Sequence, residues 1–536
     1  MSVHLQLIHH KGFTWHQRNG WHVKGYLFGP DNGYLQGEAL INYAQQAGEP
    51  EHWLSSANGH FIIIKETNNG VWAAVDKLRA FPLFYHQTKT GLVISDDAVW
   101  LQKASDLNNL NALASEQLRT LNSVTGNDTL FDGLNQLQAG QWLSFEGKAL
   151  TINTYYQHLH GYKLKLSSAN DYLAALEQES NTVFERLINS LEGRTAVIPL
   201  SGGHDSRFIA AMLKKLHYPN VICYTYGRKD SPEVAVSKQV AKQLGFPWHF
   251  VEYNAELQET FMHEKGEAYR TYGAQYNSIA HEQDWFAVGS LLASGAIPKD
   301  GIVIPGYCGD FPAGSYLPKE ITWANITTSI SGLVAYIYQT HFSKTGNAKF
   351  KSAMLQLLGK ELEGYTVTNR DEFVSVYEHW LTVNRLSRFI VNAVRVYEYY
   401  GLQWRMPLWD DGYVNLWYNI PNQYRKDRTL YKQFLNAYLF EPFGIEQNMN
   451  KVDGLFETDN LFTKIKAITP KPIRQGLKKL LIPENQIDAN RQQWLSGRIY
   501  QEIEDKSLVV DPRALNHVHA CWYLETIKHL TQKTEA

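Results

Sequence analysis

An apolar run, Ala196-Val-Ile-Pro-Leu200, ends in Ser201-Gly202-Gly203-His204-Asp205-Ser206. Apolar residues then recur at helical spacing at Phe208, Ile209, Met212 and Leu213. A buried strand that turns sharply into a helix presents loop N–H groups and hydroxyls at a helix N-terminus, where anions bind. Gly202 and Gly203 let the backbone approach a phosphate more closely than a side chain would allow, and Ser201 and Ser206 add hydroxyl donors. Asp205 is the odd member, because a carboxylate among phosphate donors repels the ligand unless a divalent cation lies between them. The loop therefore suits pyrophosphate with Mg²⁺. Its bland alternative is a glycine-rich turn without chemical role. It is not a Walker loop, since neither Gly147-Lys148 nor Gly359-Lys360 is followed by Ser or Thr.

A second strand-to-glycine turn follows at Ile302-Val-Ile-Pro-Gly-Tyr-Cys-Gly-Asp310. In a parallel sheet both loops emerge at the carboxyl edge, where Asp205 and Asp310 could share one cation against pyrophosphate. Taken alone, Asp310 reads as a solvated acid in a turn. A third stretch, Gly401-Leu-Gln-Trp-Arg405-Met-Pro407-Leu-Trp-Asp410, adds an arginine and an acid at fixed spacing.

Such loops need a scaffold, and the patterning supplies one. To about Tyr156, short apolar runs flank turn residues: Phe61–Ile64 and Val71–Val75 around Asn68-Asn69-Gly70, Leu83–Tyr85 and Leu92–Ile94, and Trp142–Phe145 and Leu150–Ile152. These predict hairpins and a mostly β first half. From about Ala169 a helix is predicted over 171–191, then a strand and the glycine loop, a strand at Val221–Tyr226 and a helix opened by Ser231-Pro232-Glu233 and closed near Gly245. A strand at Trp248–Val251 follows. Alternating strand and helix implies a parallel, doubly wound sheet, with residues 325–445 as a helical, aromatic extension over it.

At 536 residues the chain is long enough for two or three domains. With 44% hydrophobic and 19% charged residues it has the composition of a soluble globular protein, and a net charge of −2 gives no support to nucleic-acid binding. Cys223, Cys308 and Cys521 are scattered, which argues for a reducing compartment and against structural zinc or a disulfide framework. The N-terminus lacks a signal-peptide pattern, and no run approaches the roughly 18 apolar residues of a membrane span. The expected location is the cytoplasm, without membrane contact. Lysines and arginines between 464 and 482 read as a solvated helix face rather than a lipid-binding one, and the histidines show no metal-ligand spacing.

Taken in order, these three stretches resemble the synthetase domain of the asparagine synthetase family, within the PP-loop ATP pyrophosphatases. Arg405, Pro407 and Asp410 fall on its third motif. Gly59-His-Phe61, Asp76, Pro82–Tyr85, Ser95-Asp-Asp97 and Leu130–Gly140 resemble the family's class II glutamine amidotransferase domain. The resemblance implies an α/β chain: an αββα Ntn-hydrolase-like sandwich over 1–156, then over 169–536 a doubly wound parallel-sheet adenylating domain with a helical extension. It implies ATP and Mg²⁺, with Ser201, Gly202, Gly203 and Ser206 on pyrophosphate, Asp205 and Asp310 on the metal, and Leu200, Tyr226 and Gly306 lining the adenosine site. Met449-Asn-Lys451-Val452 resembles a mobile loop whose lysine contacts the adenylated intermediate; the alternative for Lys451 is an ordinary surface lysine.

Two departures matter. A family glutaminase needs a cysteine directly after the initiator methionine, and this chain has Ser2 and no counterpart of the glutamine-clamping segments, so its first half is expected to hydrolyse nothing. Tyr307 stands three residues before Asp310, as in β-lactam and carbapenam synthetases, where a tyrosine works with a glutamate to deprotonate the attacking amine. Glu398 is the candidate partner by sequence neighbourhood, and a packing role for Tyr307 stays open. The expected activity is an AMP-forming amide ligase without its own glutaminase, joining a small-molecule carboxylate to ammonia or an amine. Residues 305–311 and 390–401 resemble proteins of surface-polysaccharide loci, which suggests a sugar acid. Alternatives are an ammonia-dependent asparagine synthetase, an intramolecular cyclase such as a β-lactam synthetase or lasso cyclase, and a catalytically silent scaffold. A homodimer is open.

Overall fold

The structure, a computed structural model, describes residues 2–48, 50–319, 323, 326–445, 493–512 and 514–535. The first half holds two sheets. Strands β1 (Ser2–Gln6), β7 (Phe84–Gln87), β8 (Gly91–Ser95) and β9 (Asn135–Gln136) form a four-stranded sheet in the order β1-β8-β7-β9. The larger sheet has seven strands: β2 (His16–Arg18), β3 (Trp21–Phe28), β4 (Tyr34–Gln36), β5 (Asn58–Thr67), β6 (Gly70–Val75), β10 (Gln141–Glu146) and β11 (Ala149–Thr154). The three predicted hairpins are β5–β6, β7–β8 and β10–β11, each antiparallel.

Side-chain alternation explains the layering. Along β5, Ile62 and Ile64 point between the two sheets, where they meet Tyr85, Leu92 and Ile94. Phe61 and Ile63 point the other way, onto Leu40, Ile41 and Ala44 of helix α1 (Glu38–Gln46), close to the short α2 (Pro50–Trp53). A strand buried on both faces must read as an unbroken apolar run, as Phe61–Ile64 does. The outer face of the smaller sheet is covered by α3 (Ala98–Ala104) and α4 (Ala112–Leu121) through Leu101, Ala114 and Leu118. Asp97 and Asn111 cap these two helices with their side chains.

Residues 155–168 form neither helix nor strand, and the second half begins with α5 (Ala169–Leu191). A capping box of Ser168 and Asp171 starts this helix. Then follow β12 (Ala196–Pro199), α6 (His204–Lys215), β13 (Val221–Gly227), α7 (Pro232–Leu244), β14 (Trp248–Glu252), α8 (Ala255–Glu259), α9 (Glu264–Ala274), α10 (Gln283–Ala293), β15 (Ile302–Val303) and β16 (Gln403–Trp404). All five strands are parallel, in the order β14-β13-β12-β15-β16. Ala196, Ile198, Cys223 and Ile302 face a core built with Phe184, Phe208 and Val240 from α5, α6 and α7. Val197, Tyr224 and Val303 face Phe286 and Leu291 of α10 on the opposite side. Helices therefore cover both faces of the sheet.

Strand order reverses between β12 and β15. The chain moves outward one way through β13 and β14 and then returns to the other side of β12. At such a switch point the loops leaving the two central strands diverge and open a crevice at the carboxyl edge. The extension expected over 325–445 is largely helical in its described residues, but Tyr338–Phe342, Thr382–Ile390 and Asn436–Phe440 are wound as π-helix, which the sequence did not announce.

The two halves meet through charge as well as packing. Arg186 grips Asp410 with two hydrogen bonds, of 3.0 and 2.6 Å, and Asn58 of the first half donates to the same carboxylate at 3.0 Å. Asp410 also caps the helix Asp411–Asn419. Removing one partner of a buried ion pair leaves the other charge uncompensated. Asp410→Ala should therefore lose about 3 kcal/mol, the lower end of the range for such breaks because Glu179 stays 3.6 Å from Arg186. A lowered denaturant midpoint at unchanged slope would show it; an unchanged midpoint would contradict the account.

Candidate active site

The crevice at the switch point is a cavity of about 610 Å³. Leu200, Ser201 and Gly203 line it from the loop after β12, Asp205 and Ser206 from the first turn of α6, Tyr226 from β13, and Gly306, Tyr307 and Asp310 from the loop after β15. Gly202 is buried behind the loop. These expected residues are thus brought to one place. Lys451 lies outside the described residues.

Gly203 forms the N-cap of α6, so the first N–H groups of that helix point into the crevice. The loop is tied by its own hydroxyls: Ser201 N–H donates to Ser206 Oγ at 3.0 Å and Gly203 N–H donates to Ser201 Oγ at 3.1 Å. Gly306 is required by closeness. A Cβ there would stand 2.9 Å from Ser206 N and 3.0 Å from Asp205 Cβ, so only glycine lets the two loops touch.

That contact sets the two acids against each other. Asp310 N–H donates to Asp205 Oδ2 at 3.1 Å, and Tyr431 O–H donates to Asp205 Oδ1 at 2.7 Å. Arg428 pairs with Asp310 at 3.0 Å. Arg428 and the preceding Asp427 both adopt left-handed backbone, φ 56° and 51°, a conformation that costs energy outside glycine and aims the guanidinium. Burial and then the neighbouring Asp310 charge push the Asp205 carboxyl up to about 7. The two hydrogen bonds it accepts, from Tyr431 O–H and Asp310 N–H, and the Arg428 charge offset this only in part.

The pair Asp205 and Asp310 suits a hard divalent cation that shares its shell with phosphate oxygens. Mg²⁺ is ordinarily bound by one or two carboxylates, with substrate phosphates and water completing the octahedron. Among the described residues no group of three or more acid, histidine or cysteine ligands occurs, so zinc-type or calcium-type cages are not formed there.

Tyr307 shows a partner other than the expected one. Its hydroxyl donates to Asp284 Oδ2 at 2.6 Å and lies 2.8 Å from the Tyr397 hydroxyl. Tyr397 O–H donates to the same oxygen at 2.7 Å, and Tyr224 O–H reaches Asp284 Oδ1 at 3.3 Å. Three phenols thus surround one buried carboxylate, which stands second in α10. Burial and the Asp284 charge hold the Tyr307 hydroxyl well above the ordinary phenol range. Glu398 does not meet Tyr307. It is fully buried, paired to Arg395, and accepts from Trp404 Nε1 at 2.8 Å and Tyr272 O–H at 3.2 Å. The helix Arg395–Tyr399 directs it toward the first half, where Arg395 donates to the Ala80 carbonyl.

Reading the sequence missed Asp284, Arg428 and Tyr431. An acid at the head of the apolar run Trp285-Phe-Ala-Val288 was the one available signal for the first. Arg405 and Pro407 are buried away from this cavity. The Arg405 guanidinium lies 4.5 Å from the Tyr26 ring and donates to Tyr34 O–H, both in the first half.

Residues 191–440 match the family model described as asparagine synthase. A probable glutamine-hydrolysing asparagine synthetase of Acanthamoeba polyphaga mimivirus is 25% identical over 221 residues, 38% of this chain and 36% of that protein. A 7-cyano-7-deazaguanine synthase of Polynucleobacter asymbioticus is 38% identical over 72 residues, 13% of this chain and 29% of that one. The matches thus span about a third of these curated relatives. Among solved structures, a glutamine phosphoribosylpyrophosphate amidotransferase from B. subtilis aligns over 54% of this chain and 63% of its own, at 10% identity and a TM-score of 0.19. The stretch 191–440 is an asparagine synthetase-like domain.

The raised Asp205 has a consequence for stability. Its carboxyl titrates near 3.8 when unfolded and near 7 when folded, so the folded state holds this proton more tightly. The stability it contributes is full below pH 3.8 and is lost as pH rises to 7. Without a divalent cation, Asp205→Asn should therefore melt above the wild type at pH 8 and beside it at pH 3.8. Thermal scans at both values decide this, and a variant that melts lower at pH 8 would refute it.

Proposed function

We propose that this domain is an ATP-dependent amide ligase that adenylates a carboxylate and passes the acyl group to ammonia or an amine. The observation that carries the reading is the joining of an N–H-rich glycine loop at a helix N-terminus to two acids from neighbouring strands, Asp310 N–H resting on Asp205. Such an arrangement binds a pyrophosphate leaving group and needs a divalent cation to be electrically stable. Asp205 and Asp310 would hold Mg²⁺, which supplies charge neutralisation at the departing phosphate oxygens. Ser201, Gly203 and Ser206 orient those oxygens by hydrogen bonds, while Leu200, Tyr226 and Gly306 border the space for the nucleoside.

In the first step a substrate carboxylate oxygen attacks the α-phosphorus and pyrophosphate leaves. In the second an amine nitrogen attacks the acyl carbon, AMP leaves, and the nitrogen gives up a proton. Tyr307 is the phenol beside the cavity, and Asp284 is the carboxylate that can take its proton as Tyr307 takes one from the amine. Tyr397 and Tyr224 hold Asp284 in place for this exchange.

Residues 1–156 contain no cysteine. Ser2 is exposed on β1, an edge strand of its sheet. The Asp96 carboxylate is filled by the chain itself, through Ile8 N–H at 2.7 Å, His9 N–H at 3.1 Å and Trp15 Nε1 at 2.7 Å. This supports a ligase that takes free ammonia or an amine rather than hydrolysing glutamine. A sugar acid is the substrate class to test first, beside aspartate.

Pyrophosphate release from ATP and Mg²⁺ with aspartate, peptides and uronic acids tests the reading. Carboxylate-dependent release should fall at least about a hundredfold in Asp205→Ala. Tyr307→Phe should keep pyrophosphate release and slow amide formation roughly a hundredfold or more. Wild-type amide formation in that variant would reduce Tyr307 to a wall of the cavity, and a folded chain that binds no ATP would favour a silent scaffold.

A further inference from the structure

One short helix answers both acids of the crevice, and it answers them differently. Helix Thr429–Leu435 carries Tyr431, whose O–H donates to Asp205 Oδ1 at 2.7 Å. Arg428 is the N-cap of that helix, and its Nη1 donates to Asp310 Oδ2 at 3.0 Å. A phenol is neutral and leaves the Asp205 charge for a cation to meet. The guanidinium cancels the Asp310 charge and covers an oxygen that a metal would need.

Charge in the crevice is otherwise of one sign. Asp205, Glu233, Asp284 and Asp310 line it, and Arg428 is the one lysine or arginine among its described lining residues. Such a lining draws in free divalent cations and turns polyphosphate away. Arg428 opposes both tendencies. Its charge acts on Asp205, whose carboxyl it helps to ionise. It acts also on His204, in the first turn of α6, where burial, Arg207, Arg428 and Lys432 hold the imidazole down to about 3. One cation thus bears on both the acid pair and the glycine-loop side of the cavity.

Its hold on Asp310 is light. Among the described residues Asp310 is the one acceptor that the guanidinium meets, through one of its three nitrogens, and the side chain is 27% exposed. Arg425, on the preceding helix, donates from all three nitrogens and is fully buried. Arg428 and Asp427 also hold left-handed backbone, a strained conformation that concentrates at functional sites.

We propose that Arg428 guards Asp310: it keeps free divalent cations off the acid pair and yields to a cation that arrives with polyphosphate, whose oxygens then take the guanidinium. Metal and nucleotide binding are thereby coupled through one side chain. The carboxylate–guanidinium pair is exchanged for a carboxylate–metal contact and a guanidinium–phosphate pair, so no charge is left alone. This rests on the reading of the crevice as a site for Mg²⁺ and ATP, and adds the order in which its charges change partners.

Two affinities of the whole protein test it. One is for free Mn²⁺, followed by the EPR signal of the unbound ion; the other is for α,β-methylene-ATP at saturating Mn²⁺. Arg428→Gln should bind free Mn²⁺ at least about tenfold tighter than the wild type, and the analogue at least about tenfold weaker. Opposite shifts on the two ligands separate an exchange of partners from misfolding, which weakens both. Lys432→Gln removes an equal charge one helical turn on, and should change either affinity less than about threefold. Free Mn²⁺ affinity that does not rise in Arg428→Gln overturns the proposal, as does an unchanged affinity for the analogue. Equal gains for Mn²⁺ in Arg428→Gln and Lys432→Gln overturn it too, since the guanidinium would then act as background charge. A wild type that shows the exchange but releases no pyrophosphate from ATP with any carboxylate would instead sink the adenylating reading and leave the guard standing.

Discussion

Two carboxylates held against each other at the ends of adjacent parallel strands set the terms for everything near them. Asp205 and Asp310 touch through a backbone N–H because Gly306 has no side chain to keep the loops apart. Burial, and then the Asp310 charge, penalise the ionised form of Asp205, which keeps its proton to near neutral pH. Much of the surrounding architecture manages that penalty. Tyr431 reaches across to donate one hydrogen bond, and two successive residues are forced into left-handed backbone so that Arg428 can lean on Asp310. A site that stores electrostatic strain in this way is poised to draw in a small divalent cation, and with it the polyphosphate that such a cation accompanies.

Sheet order explains why these acids meet. Asp205 and Asp310 are 105 positions apart in the chain, yet β12 and β15 are hydrogen-bonded neighbours. The same order brings Asp284, at the head of α10, beneath Tyr307. Asp205, Asp284, Tyr307 and Asp310 are thereby gathered at one edge of the sheet, while apolar side chains divide between its two faces.

What could be read from the sequence was whatever local pattern determines. Alternation of apolar and polar residues is absent from the central strands because both faces are buried, and the resulting apolar runs at Ala196–Pro199 and Val221–Gly227 were visible as strands. Hairpins were visible through their turns, and the glycine loop through its spacing. Partnerships across elements were not. Glu398 lies just before the third motif in sequence, but its helix turns it toward Arg395 and Trp404, whereas the carboxylate that serves Tyr307 comes from 23 positions upstream of that tyrosine.

Arg405 and Asp410 lie on a motif whose spacing pointed to chemistry, and their side chains meet the first half of the chain instead. A buried guanidinium against the Tyr26 ring and an aspartate held by Asn58 are both solvated by residues that fold hundreds of positions earlier. The first half therefore has a structural task irrespective of any reaction of its own: together with Arg186 and Ser190 of the second half, Tyr26, Tyr34 and Asn58 complete the shell in which two buried charges are held.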